Sequence, residues 1–376
     1  MTKILLSMVA VATLGMAEVS NTEISASLNF FYATNDSTDA DMFNKDAAVG
    51  QVGGTVAITS DLGADVKAKA EITILDTLGL ENNVVSGVWE AGADTPIWMS
   101  EAWIEKSIGN TSIKLGRQTV DSPLFMTETW SIAKNTFDGA LAVNTDLPDT
   151  TLVGGYFGRH NSAGPGYGAV ARDEFTTLGT DGAYAAGIIN TSIENSTLQA
   201  WYYDVVKNSK SFFLQADTKV NNIDLGAQYG NIKGNGADAS SAIAVKVGTE
   251  INGLALMAAF SSADEDGKSG NIQNLVGTTQ SPLYTEAWWN FNNVGAAGSN
   301  AINLTAEYAV KDVADFGLYV TNVTNDISAD NELTEVTISA TAPVGPLEAT
   351  VAYINSDFKS ADDAVNEIQA FVSYSF

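Results

Sequence analysis

Segments of about ten residues in which apolar and polar side chains alternate recur along this chain. In residues 65–74 the even positions carry valine, alanine or isoleucine, and the odd positions carry aspartate, lysine, glutamate or threonine. A period of two is that of a β-strand with one apolar and one polar face. A strand of about 9–11 residues is long enough to cross a membrane at a tilt. Similar segments are residues 197–207, 241–250, 301–311, 333–342 and 347–356.

Short and long connections alternate between these segments. The short ones carry turn-forming residues such as Asn-Gly, and the long ones are rich in glycine, serine, aspartate and asparagine. This alternation is typical of a transmembrane antiparallel β-barrel with short periplasmic turns on one rim and long external loops on the other. We predict about eighteen strands, with sixteen as the alternative. The short connections are 146–149, 194–196, 221–222, 252–253 and 343–346, and the long ones are 34–47, 76–96, 119–137, 160–180 and 261–300.

The two ends of the chain agree with export to an outer membrane. Residues 1–17 combine Lys3, a short apolar run and small residues at Gly15 and Ala17, the pattern of a cleaved signal peptide of the Sec pathway. No later stretch approaches the ~20 consecutive apolar residues of a transmembrane helix. The final segment alternates and ends on the aromatic Phe376. We therefore predict a signal peptide followed by one barrel domain over residues 18–376.

Composition excludes several functional classes. The chain has 45 acidic and 18 basic residues, a formal net charge of −27 and no cysteine. Nucleic acid is an unsuitable partner, because phosphate binding requires clustered lysine and arginine. The acidic excess instead favours interaction with cations. The single histidine, His160, and the absence of a Gly-rich phosphate loop before a helix leave no catalytic constellation, so we predict that the protein is not an enzyme. A soluble, secreted all-β protein is the alternative, but the large aromatic cores of β-sandwiches are missing.

The segment 119–137 is the candidate for narrowing the lumen. It follows the fifth predicted strand, residues 111–118, and is therefore the third long loop, which folds inward in general porins. Asp121, Glu128 and Lys134 supply its charges. Its candidate anchors are Pro123, Phe125 and Trp130. The alternative is a solvated external loop.

Arg117 precedes this loop and has two alternative positions. The parity of Ile113 and Leu115 turns its side chain outward to lipid, where a charge costs about 2–4 kcal/mol at mid-membrane. A bulge at Gly116 would instead turn it into the lumen, and a position at a rim or a subunit contact is the third option. We favour the lumen, where opposed charges would create a transverse field. The predicted constriction consists of Arg117, Asp121, Glu128 and Asp138.

A second long loop repeats part of the first. Residues 281–288 and 122–130 share Ser-Pro-Leu, an aromatic residue, then glutamate and tryptophan, with one residue inserted. We predict that both loops fold into the lumen and contact one another, with Pro282 and Trp288 packing in the second loop. The alternative is that two unrelated surface loops share this pattern by chance.

Other charged residues are assigned to the wall or to solvent. Lys67, Lys69, Glu71 and Lys114 are predicted to line the pore wall. Acidic pairs such as Asp173–Glu174 are solvated loop charges on the simplest interpretation. They could hold calcium through carboxylate oxygens, although the regular spacing of an EF-hand loop is missing.

Several short motifs together resemble a known family. The signal peptide, residues 114–118, 122–124 and 135–140, and the terminal Phe376 look like the Campylobacter-type major outer-membrane porin and, more distantly, OprD-type channels. The resemblance implies an eighteen-stranded homotrimeric channel that prefers cations, with an acidic constriction and bound calcium as an option. Many relatives carry several basic residues along one pore wall. With only three arginines, this chain departs from that pattern.

The sequence therefore predicts a general-diffusion porin for small hydrophilic solutes and cations, embedded in outer-membrane lipid and without a cofactor. A substrate-specific channel would differ only at the constriction. The third interpretation is a surface adhesin or structural protein whose long loops carry the function.

Overall fold

The computed structural model describes residues 20–37, 41–76, 79, 84–85, 87–88, 97–129, 132–161, 174–276 and 280–376. The predicted signal peptide and Trp130 lie outside these residues. Eighteen strands form one closed antiparallel barrel, which confirms the predicted fold class and strand number. The first seven are β1 (Ser20–Asn35), β2 (Ala48–Asp61), β3 (Val66–Asp76), β4 (Ile97–Ile108), β5 (Thr111–Gln118), β6 (Phe137–Asn144) and β7 (Thr150–His160).

The remaining strands continue in chain order around the ring. They are β8 (Ala183–Asn190), β9 (Ser196–Val205), β10 (Ser209–Val220), β11 (Ile223–Gly234), β12 (Ser240–Ile251), β13 (Leu254–Ala263), β14 (Ser299–Val310), β15 (Ala314–Asn325), β16 (Leu333–Val344), β17 (Leu347–Phe358) and β18 (Val365–Ser375).

The ring closes between the first and last strands. The register of β1 and β18 runs from Ser27 opposite Ser375 to Asn35 opposite Glu367. Beyond it, Ala26 and Phe376 exchange two backbone hydrogen bonds of 2.8 and 3.0 Å. Closure leaves no free sheet edge, so the backbone polar groups of both terminal strands are paired.

The connections segregate to opposite rims. The short-turn rim carries eight turns of two to five residues and both ends of the sheet. The long-loop rim carries the long loops and two short connections, residues 206–208 and 235–239. At the short-turn rim the predicted turn residues adopt the left-handed conformation that tight hairpins require, with φ of 53° at Asn252 and 82° at Gly253. The predicted alternation of connection lengths therefore corresponds to the two ends of the barrel, except that residues 206–208 and 235–239 are short connections at the long-loop rim.

Two short strands supplement the ring. Gly87–Val88 pairs in parallel with residues 49–50 of β2, and Thr176–Thr177 pairs with the last two residues of β7. Among the residues that the structure describes, no helix is long and apolar enough to cross a membrane.

The outer face of the sheet is apolar. On β12 the odd positions Ile243, Val245 and Val247 are about half exposed, between 47% and 54%, whereas Lys246 and Gly248 have the opposite parity. Isoleucine, leucine, valine, phenylalanine and tyrosine side chains are exposed in the same way on the other strands. An apolar surface of this extent around a closed barrel requires an apolar surrounding.

The largest buried cluster lies inside the barrel, on one side of the inner wall. It unites inward-facing residues of β6 to β13 with residues from three of the long loops. The interior is therefore occupied by loops that pack on the wall.

Candidate functional site

The first inward loop, residues 119–136, packs against the inner wall. Leu124 and Phe125 are fully buried, and the ring of Phe125 lies 4.8 Å from that of Phe137 and 5.3 Å from that of Phe157. Ser122 and Pro123 begin the turn that contains Leu124 and Phe125. In this turn Ser122 Oγ donates to the Phe125 carbonyl at 2.7 Å. Apolar packing thus holds this loop inside the barrel.

The second inward loop, residues 264–298, reaches several parts of the inner wall. On β11, Gln228 Nε2 donates to the Pro282 carbonyl at 2.9 Å. On β16, the carboxylate of Glu335 accepts the backbone N–H groups of Trp289 and Asn290 at 3.0 and 2.8 Å. Because β11 and β16 are five strands apart, the loop crosses the lumen between them.

The two inward loops contact one another. The backbone N–H of Leu275 donates to the Leu124 carbonyl at 2.9 Å. Asn274 Nδ2 donates to the Met126 carbonyl at 3.0 Å and to Glu128 Oε1 at 2.8 Å. The contacts that the shared Ser-Pro-Leu pattern predicted are therefore present, and Leu124 and Leu283 of the two patterns belong to the same buried cluster.

A four-residue ion cluster fixes the far end of the first inward loop. Lys134 Nζ contacts Glu71 Oε1 at 2.9 Å and forms a short ion pair with Glu101. Lys69 Nζ lies 2.9 Å from Glu71 and 2.7 Å from Glu101. The two carboxylates are only 7% and 5% exposed, so the loop lysine and the wall lysine together neutralise two buried acids. We name this group the anchor cluster.

A β-bulge creates the carboxylate half of the anchor cluster. The register between β3 and β4 shifts between Glu71 and Ile72, which turns both Ser100 and Glu101 toward the lumen. Ser100 Oγ donates to Glu71 at 2.8 Å, and Trp103 Nε1 donates to Glu101 at 2.9 Å. Each buried carboxylate therefore has lysine partners and an additional donor.

The predicted wall residues have inward parity. Lys67 lies near the short-turn rim, 4.0 Å from Asp61. Lys114 sits over the ring of Trp103 at 4.5 Å and contacts Glu105 at 3.2 Å. Lys69 and Glu71 belong to the anchor cluster. Whether these residues contact a moving solute stays a prediction.

Arg117 has a different position from the one favoured by the sequence. Its partners are Asp138, at 2.7 Å, and the Met99 carbonyl, also at 2.7 Å, and the ring of Phe175 lies 3.4 Å from its guanidinium carbon. No register shift occurs at Gly116, although its φ is 124°. Arg117 therefore keeps the outward parity of its strand. The lumenal position that we favoured from the sequence is wrong.

The predicted constriction is therefore divided into two groups. Asp138 pairs with Arg117 and with Arg159, 2.7 Å away, and has the parity opposite to buried Phe137. Asp121 and Glu128 belong to the first inward loop, where neither forms an ion pair with Arg117. Asp121 is exposed, whereas Glu128 is buried against the second inward loop. Of the four predicted constriction residues, only Asp121 and Glu128 therefore remain inside the barrel.

Trp288 lines a cavity of about 630 Å³ between the second inward loop and the short-turn rim. Its ring lies 4.9 Å from that of Tyr319 on β15. Lys219 and Asp224, on either side of the turn at 221–222, place the cavity near that rim. We name this cavity the lower chamber.

Glu286, in the roof of the lower chamber, is electrostatically unusual. Burial raises its pKa to about 8, and the nearby Glu128 carboxyl acts in the same direction. The backbone N–H of Ser281 donates to Glu286 Oε1 at 2.9 Å and partly opposes this shift. The protonated form is therefore favoured in the folded protein at neutral pH.

Replacing Glu286 by glutamine is expected to stabilise the barrel at alkaline pH. A carboxyl group whose folded pKa lies above its ordinary value of 4.5 makes folding less favourable as pH rises from 4.5 to about 8. The difference between variant and parent should grow across that window by at most roughly 1.4 kcal/mol per pH unit. The measurement heats both proteins in nonionic detergent at pH 4.5, 6, 8 and 9. The temperature at which the electrophoretic mobility changes from the folded to the unfolded band gives the stability of each. Equal transition temperatures at pH 9 would contradict it.

The described residues contain no group of three or more histidine, cysteine, aspartate or glutamate side chains placed to hold a metal ion. Asp173 of the acidic pair Asp173–Glu174 lies outside those residues. The calcium option stays a prediction.

Sequence reasoning missed several residues that hold the interior together: Glu101, Asn274, Glu286 and Glu335. For Glu335 a signal exists, because it is an acidic residue with inward parity in the alternating segment 333–342. Glu101 sits at a bulge and Asn274 in an irregular loop, where alternation gives no direction.

Comparison with known proteins yields similarity of structure alone. No protein-family model and no curated protein sequence matches the chain. The solved structure of OccK9 (OpdG) from Pseudomonas aeruginosa superposes with a TM-score of 0.76 at 15% identity, covering 95% of this chain and 98% of that one. OccK3 (OpdO) gives 0.77 at 14% identity, with coverages of 95% and 96%. The outer membrane protein OpdK, from the same organism, gives 0.76 at 14% identity, with coverages of 95% and 98%.

Proposed function

We propose that this protein is a porin of a bacterial outer membrane that lets small hydrophilic solutes and cations diffuse passively. The observation that carries the proposal is a closed barrel with an apolar outer face and a charged interior crossed by two loops. Such a barrel satisfies its backbone in lipid, and its loops narrow a water-filled lumen. Similarity to the Occ channels supports the same function. No chemical step or cofactor is needed.

The distribution of lumenal charge favours cations. The six described lysines on the inner wall and the first inward loop each lie within 4.0 Å of a carboxylate: Lys67, Lys69, Lys114, Lys134, Lys219 and Lys246. Asp121 and Glu250 form no ion pair within the part of the chain described. The unneutralised charge of the interior is therefore negative, which attracts cations and repels anions.

Single-channel recording in a planar bilayer tests this function. In a salt gradient we expect stepwise currents whose reversal potential has the sign of cation selectivity. Neutralising Asp121 with asparagine should shift the reversal potential toward zero, and the outward-facing Ile243→Val substitution serves as the control. Anion selectivity would contradict the cation preference, and a correctly folded barrel without current would contradict the porin function.

A substrate-specific channel is the second candidate, and the lower chamber favours it. A preformed cavity with aromatic and charged walls can retain one class of solute longer than a simple water-filled pore does. One solved structure of OpdK contains vanillate. Competitive block of the current by one solute class at low concentration would favour this candidate over general diffusion.

We further propose a homotrimer in the outer membrane, after export directed by residues 1–17 through the Sec pathway. The resemblance to Campylobacter-type porins supports the trimer, and the signal pattern supports the export route. Current steps in triplets, and amino-terminal sequencing of the mature protein, test the two proposals separately.

A further inference from the structure

The lower chamber is enclosed by loop and wall together. Residues 280–291 of the second inward loop form its roof, and strands β10 to β15 form its side. The backbone carbonyl of Glu286 accepts a hydrogen bond from Asn303 Nδ2 of β14 at 3.2 Å, and Tyr284 N–H donates to Gln228 of β11 at 3.0 Å. These bonds fix the roof to both sides of the chamber, so its shape is preformed.

The basic groups of the lower chamber are already neutralised. Lys246 Nζ lies 2.8 Å from Asp217 and 4.1 Å from the ring centre of Tyr284. Lys219 lies 3.2 Å from Asp224. An anionic solute would have to displace one of these carboxylates before it met a free positive charge.

The remaining acidic groups of the lower chamber have no basic partner among the described residues. Glu307 accepts a hydrogen bond from the hydroxyl of Tyr319 at 2.7 Å, and Glu286 accepts the backbone N–H of Ser281. Glu250 is exposed in the chamber wall. The Tyr319 hydroxyl is a neutral donor, so it leaves the formal negative charge of Glu307 uncompensated, and Glu250 likewise keeps its charge. Glu286 adds no negative charge at neutral pH, because burial raises its pKa to about 8.

Aromatic rings accompany these acids. Trp288 and Tyr319 lie 4.9 Å apart with their planes at 40°, and Phe291 also lines the chamber. The face of an aromatic ring attracts an organic cation through its quadrupole, whereas a tightly hydrated metal ion gains little from apolar walls. Acids beside aromatic rings are therefore complementary to a cation that has an apolar part.

We infer that the lower chamber is a binding site for small organic ammonium ions, which enter the channel and pause beneath the second inward loop. The inference rests on the proposed channel function for its role in transport. The binding itself depends only on the chamber, so the two ideas can fail separately.

Calorimetric titration of the purified barrel in nonionic detergent measures the binding. The probes are benzyltrimethylammonium, benzyl alcohol and benzoate, which share the ring and differ in charge. We expect saturable binding of the cation alone. Trp288→Leu should weaken it by about 2- to 30-fold, the range of a cation–π contact that is partly desolvated. Glu307→Gln should also weaken it, because it removes a negative charge from the chamber wall. The control is Glu348→Gln, which should leave the binding unchanged. Glu348 has inward parity on β17, lies outside the chamber and forms no ion pair with any described residue.

Block of single-channel current by the same probes separates the two ideas. Cation binding by calorimetry in a barrel without current would overturn the porin function and support the chamber as a binding site. Normal current without saturable cation binding, or with benzoate as the tighter ligand, would overturn the inference. Equal loss in the Glu348→Gln variant would also overturn it, because the effect would then be general electrostatics.

Discussion

Replacing Lys134 by methionine should release the first inward loop and destabilise the barrel strongly. The substitution leaves Glu71 and Glu101, both nearly buried, with Lys69 as the only cation within 4.0 Å of them among the described residues. Removing one partner of a buried ion pair costs about 3–5 kcal/mol, because an uncompensated charge stays in a low-dielectric environment. We expect a large fall in the temperature of the heat-induced mobility shift, together with noisier single-channel current.

Lys207→Met provides the matched control for this prediction. Lys207 pairs with Asp181 at 2.6 Å, but both side chains are more than half exposed. Exposed pairs contribute about 0–1 kcal/mol, so this variant should behave like the parent. If the Lys134 and Lys207 variants lost the same small amount of stability, the anchor cluster would not be holding the loop.

Removing the second inward loop should increase the conductance severalfold. The loop ends adjoin one another, since the backbone N–H of Gly298 donates to the Asp264 carbonyl at 3.1 Å. Residues 265–297 can therefore be replaced by Asn-Gly, which suits a two-residue hairpin turn between β13 and β14. The deletion clears the crossing between β11 and β16, and conductance rises with the free cross-section of the lumen.

A deletion outside the lumen controls for general damage. Residues 361–363 belong to the exposed connection between β17 and β18, and their removal should leave the conductance unchanged. Migration as a folded, heat-modifiable band shows that each variant has assembled. Unchanged conductance in the folded variant without residues 265–297 would mean that the second inward loop does not narrow the path.

The interior therefore combines two kinds of attachment. The first inward loop is held by apolar packing at Leu124 and Phe125 and by the anchor cluster at Lys134. The second is held by hydrogen bonds between its backbone and side chains on β11, β14 and β16, of which Glu335 accepts two. In the proposed porin, solutes would pass beside both loops, and we therefore expect the acids near this crossing to influence selectivity most.

The sequence predicted the strands well because alternation is a local property of the backbone. Residues 111–118 coincide with β5, and residues 241–250 and 347–356 lie within β12 and β17. Inward parity for Lys67, Lys69 and Glu71 follows from the same pattern. Within a regular strand each side chain has only two directions, and the apolar set identifies which one meets lipid.

The constriction could not be predicted as completely. Arg117 and Asp138 are opposite one another in the register of β5 and β6, a pairing that depends on how two strands align across a loop. The position of Glu101 depends on a bulge that interrupts the alternation. Neither feature leaves a periodic signal in the chain.

The sequence by itself determined that this chain forms a barrel of about eighteen alternating strands, with sixteen as the alternative, and with short turns at one rim and long loops at the other. Only the tertiary structure decided which charges meet inside. Lys134 reaches Glu71 and Glu101, and Asn274 reaches Glu128, across segments far apart in the chain. Strand alternation is set by neighbouring residues, whereas these contacts exist only once ring closure brings distant walls and loops into one lumen.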